Sequence, residues 1–87
     1  MRTVLLPRFW LSFQENKHGY NSDDIEMFKN FAYEKKNQNP HEDIREFQAE
    51  SYLKDEFEVD VKNSYNVTEI IFKSEADFSF FILKYFQ

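Results

Sequence analysis

Eighty-seven residues of 10.7 kDa suffice for a single domain spanning 1–87 and leave no room for a second core. Sixteen Asp and Glu against eleven Lys and Arg give a net charge of −5, which counts against a non-specific nucleic-acid binder. With no Cys and one Gly, thiol chemistry, disulfide frameworks, Cys-ligated zinc and glycine-rich phosphate loops are excluded.

Thr3–Phe13 is rich in β-branched and aromatic residues and predicts a strand. Pro7 has no N–H to give a ladder, so this strand is an edge or bends there. Pro7 and Arg8 also break the apolar N-terminal run before a signal-peptide core forms, and a cytoplasmic location is expected. Without a secretion signal, Asn66-Val67-Thr68 is a chance match to a glycosylation acceptor. A polar turn over 16–21 holds the only glycine, Gly19. Ser22 then reads as the N-cap of a helix over 22–36, with Asp23, Asp24 and Glu26 in its first turn and Lys35-Lys36 in its last. Ile25, Met27, Phe28, Phe31 and Ala32 supply its apolar face.

Asn39-Pro40 ends that helix and offers a cap and first residue for a second, over 40–53, anchored by Ile44 and Phe47. Its periodicity is weak, so short, exposed and part-strand alternatives stay open. From Phe57 the period becomes two, Phe57, Val59 and Val61 alternating with Glu56, Glu58 and Asp60. A turn at 62–64 and a strand over 67–72 complete an antiparallel hairpin. Ser74 through Asp77 resembles a capping box for a final helix lined by Phe78, Phe81, Ile82 and Tyr85, although the aromatic run also fits a strand. The expected fold is α+β, in β-α-(α)-β-β-α order: a small antiparallel sheet of about three strands with helices on one face. Seventeen aromatic residues, among them 11 Phe, supply its core. No run approaches the roughly 18 apolar residues of a membrane span.

The negative charge is local. Residues 42–60 carry a net −6, whereas 1–41 carry +1 and 61–87 are neutral. On a strand Glu56, Glu58 and Asp60 would share one face at about 6.8 Å intervals, close to the spacing of successive phosphates. Glu46, Glu50 and Asp55 extend the row into an acidic docking surface for a basic protein. The plainer alternative is the solvated face of an amphipathic strand.

Neither His18, in the turn, nor His41, beside Glu42 and Asp43, belongs to a recognisable catalytic or metal-ligand set. Ser12 lies in no strained nucleophile turn, and Ser22 and Ser74 are better explained as caps. No enzyme activity, metal or cofactor is expected. Trp10 with the nearby Arg2 and Arg8, joined by Lys35-Lys36, offers a second reading, a regulator of RNA or single strands, although Trp10 suits a core better. Leu83 and Phe86 widen the apolar side of the last helix and Phe80 lies on its opposite side, giving a third reading as an oligomeric or partner surface.

Ile70-Ile71-Phe72-Lys73-Ser74-Glu75-Ala76-Asp77, continuing into Phe81-Ile82-Leu83-Lys84-Tyr85, resembles the strand-then-helix ending of small accessory proteins of tailed bacteriophages. The resemblance implies an early, host-takeover or anti-defence protein in the host cytoplasm. It implies stoichiometric binding to a host factor such as a basic, nucleic-acid-handling protein, as inhibitor or modulator. The shared pattern is a folding pattern, so it carries over no functional residue.

Overall fold

The first strand, β1, runs only from Arg2 to Pro7. In the computed structural model, which describes residues 1–13 and 19–86, the chain turns sharply after Pro7 instead of continuing to Phe13. Pro7 has no N–H with which to extend the ladder. Arg8 N–H still reaches the Asn66 carbonyl at 3.2 Å, and Ser12 N–H then closes a turn onto the Phe9 carbonyl. This turn drops Trp10 into the core, fully buried, and leaves Phe9 outside. The reading of His18 as an exposed turn residue lies outside the described residues.

Helix α1 spans Ser22–Gln38, and its N-cap is Asn21 rather than Ser22. The Asn21 carboxamide oxygen accepts from the Asp23 and Asp24 N–H groups at 2.9 and 3.2 Å, so Ser22 is already helical. At its other end Asn39 donates from both its backbone and its side-chain nitrogen to the Lys35 carbonyl. Asn39 is thereby a C-cap, and the second helix cannot start at Pro40. Helix α2 instead spans Glu46–Glu56, with the Gln48 side chain accepting from Arg45 N–H.

Strands β2 (Val59–Asn63) and β3 (Val67–Phe72) form the expected hairpin, and β3 lies between β1 and β2 with antiparallel pairing on both sides. The register sets Val4 and Val61 against Ile70, and Leu6 against Thr68. Alternate residues therefore turn inward together, and β1 is an edge strand. Helix α3 spans Glu75–Tyr85, which settles the C-terminal run as helix, with Ser74 Oγ accepting from Asp77 N–H. The Asp77 carboxylate does not close a capping box; it accepts from Glu58 N–H at 2.9 Å and ties α3 to the start of β2.

The core is an aromatic cluster around Phe81. Its ring centroid lies 4.7 Å from Phe28, 4.9 Å from Tyr85, 5.4 Å from Phe72 and 5.6 Å from Phe57. Rings of this size let few residues fill a small interior. The α+β architecture with the expected element order is thus the fold of the chain.

Candidate functional site

The six acidic residues singled out from the sequence do not form one row. Glu50 sits on the inner side of α2, with about 4% of its surface exposed. Its two oxygens accept from Trp10 Nε1–H at 3.2 Å and from Asn63 Nδ2–H at 3.3 Å, while Asn63 accepts from the Thr68 hydroxyl at 2.6 Å. Burial pushes the Glu50 carboxyl above its ordinary value, and the two hydrogen bonds offset only part of that rise. One turn earlier, Glu46 accepts from Leu11 N–H at 3.2 Å. Both acids therefore clamp the turn after β1 onto α2.

Glu56 ends α2 instead of opening a strand, and its carboxylate pairs with the buried Lys35 ammonium. That ammonium also lies 5.2 Å above the Phe31 ring, among partners that compensate its removal from water. Glu58 precedes β2, and only Asp60 of the expected strand trio lies within it, 3.4 Å from Lys73 Nζ. The phosphate-like spacing is therefore absent. Of the six, Asp55 and Glu58 are the exposed acids without a cationic partner among the described residues.

The set proposed for single strands is also dispersed. Trp10 and Lys35 are buried, and Arg2 lies 3.6 Å from Glu75 and 5.0 Å above the Phe78 ring. Phe80 and Leu83 on α3, and Phe86 just past its end, are exposed, Leu83 to 83%. Among the described residues, no group of three or more potential ligands converges on a metal site, and no helix is long and apolar enough to cross a membrane.

What the sequence did not reveal is a surface centred on Phe47. Phe47, Ser51 and Asp55 recur every four residues along the outer side of α2, so helical geometry stacks them in one stripe. The Phe47 ring, 72% exposed, borders a shallow cleft of about 300 Å³ together with Gln48, Ser51, Tyr52, Asp55 and Glu42. Tyr52 donates its hydroxyl to Glu42 Oε2 at 2.7 Å, and this bond raises the phenol above its ordinary value and fixes the Glu42 carboxylate at the rim. An aromatic floor with two carboxylates suits a guanidinium or ammonium group, which gains from ring faces and anions alike. Comparison with models of protein families, with curated proteins and with solved structures finds no match for this chain.

Proposed function

We propose that the chain is a non-enzymatic binding protein that docks a basic protein partner through the outer face of α2. The observation that supports this reading is the exposed Phe47 ring set beside the Glu42 and Asp55 carboxylates. An exposed aromatic anchor supplies binding energy on desolvation, while the acids supply steering and specificity. The acidic surface inferred from the sequence is thereby recentred on Glu42 and Asp55, because Glu46, Glu50 and Glu56 are engaged within the fold. A stoichiometric inhibitor or modulator of a nucleic-acid-handling protein, as the bacteriophage resemblance implies, fits this reading without being required by it.

A pull-down eluted with a salt gradient tests the proposal. Wild-type protein retains a partner that elutes as salt rises, and Phe47→Ala combined with Asp55→Lys abolishes retention. Undiminished retention by that variant, with unchanged elution, refutes docking at this face. A second reading, self-association through α3, draws on the exposure of Leu83 and Phe80. A strict monomer in light scattering refutes it.

A further inference from the structure

A cleft of about 650 Å³ opens beside the turn that Glu46 and Glu50 hold in place. It arises because Arg8 N–H pairs with the Asn66 carbonyl, which brings the residues after β1 beside the β2–β3 turn. Aromatic residues far apart in sequence thereby converge: Phe9, Phe13 and Tyr20 from one side and Tyr65 from the other. Phe9 is 66% exposed and Tyr65 93%, so both offer ring faces to solvent. Tyr20 is held in place by its hydroxyl, which donates to the Asn66 carbonyl at 3.4 Å.

Among the described residues, the single charged residue that lines this cleft is Arg8, in a chain of net −5. Arg8 Nη1 donates to the Ser64 carbonyl at 3.0 Å, which orients the guanidinium, and no carboxylate pairs with it among the described residues. A guanidinium carries five N–H donors in a fixed fork matched to phosphate oxygens. The Asn66 side chain adds a carboxamide that can both donate and accept at a base edge. Ring faces for a planar group, a fork for an anion and a volume within the usual range of ligand clefts occur together.

The geometry points to a nucleoside-phosphate site: a nucleobase stacks on the Phe9 and Tyr65 rings and its phosphate is held by Arg8. Arg8 and Phe9 also border a smaller cleft with Glu46, Phe47 and Gln48, but Tyr65 lines neither cleft on α2, so Tyr65→Ala distinguishes failure of this site from failure of the docking proposal. The ligand is a free nucleotide or one unit of a single strand; both present the same base and phosphate. The net acidity of the chain opposes long-range attraction of polyanions, so stacking and one phosphate contact carry the recognition.

Backbone amide NMR titration tests it with adenosine 5′-monophosphate, adenosine and a single-stranded oligonucleotide of about eight nucleotides. The monophosphate shifts resonances of residues 8–13 and 64–66, and adenosine binds more weakly. Tyr65→Ala weakens binding roughly 5- to 150-fold, and Phe9→Ala acts in the same direction. Arg8→Ala removes the preference for the monophosphate over adenosine. All three are surface changes whose unaltered spectra outside the cleft show that the fold is kept. An oligonucleotide that binds at least about tenfold tighter than the monophosphate, with a log–log salt slope near −0.7 per phosphate, identifies the strand as the source. Equal affinities identify the free nucleotide. No shifts with any of the three probes, or shifts unaffected by Tyr65→Ala and Arg8→Ala, overturn the proposal.

Discussion

Replacing Glu50 by Ala tests whether the buried carboxylate holds the turn after β1. The substitution removes the acceptor for Trp10 Nε1–H in a site where the indole is fully buried, and that for Asn63 Nδ2–H beside it. The buried Trp10 donor left unpaired costs about 1–3 kcal/mol, the exposed Asn63 amide can turn to water, and release of a desolvated charge returns part of the loss. A net destabilisation of about 1–3 kcal/mol follows. Urea unfolding followed by circular dichroism measures it, with Trp10→Phe completing a double-mutant cycle. The pH dependence supplies a second readout. Because the folded-state pKa of Glu50 is raised, the native protein holds the proton more tightly than the unfolded chain. The contribution of this group to stability is therefore full below the ordinary Glu pKa and declines as pH rises through the raised value. Glu50→Gln abolishes that decline, so the stability of wild type relative to Glu50→Gln falls as pH increases across this window. A Glu50→Ala cost below about 0.5 kcal/mol, or a wild-type-minus-Gln difference that is flat or rises with pH, refutes the reasoning.

Phe81→Ala empties the centre of the aromatic cluster and costs about 3–5 kcal/mol in the same unfolding assay. Asn21→Ala removes the acceptor for two N–H groups of the first α1 turn and lowers stability by about 1 kcal/mol. Leu83→Glu, at a position 83% exposed, leaves stability within about 0.5 kcal/mol while dissociating any assembly through α3, as measured by light scattering.

The elements legible in the sequence are those whose signals are local. The stripe of α1, the hairpin alternation and the Ser74 cap each lie within a few residues, and all appear in the structure. The α2 start was misplaced because Asn39 can either open one helix or close another, and only its bonds to Lys35 decide between the two. The alternation from Phe57 is real, since Phe57 and Val59 are buried. It does not extend backward to Glu56, which still belongs to a helix. The burial of Lys35 had a visible signal, for Phe28, Phe31, Ala32 and Lys35 continue one helical stripe. Glu50 had none, because its partner Trp10 lies forty positions away in the chain. The same separation hid the cleft between Phe9 and Tyr65, which exists only once the register sets Pro7 opposite Val67.

The strand order β1-β3-β2 also dictates a timetable for folding. Arg2 faces Phe72 across some seventy intervening positions, so the N-terminal strand emerges from the ribosome long before its only neighbour exists. Helices and the later hairpin form from nearby contacts, but β1 must wait and then close the largest loop in the molecule at an entropic cost. Its brevity, together with the proline at its end, limits the length of unmatched ribbon that a nascent chain displays to its neighbours during that wait.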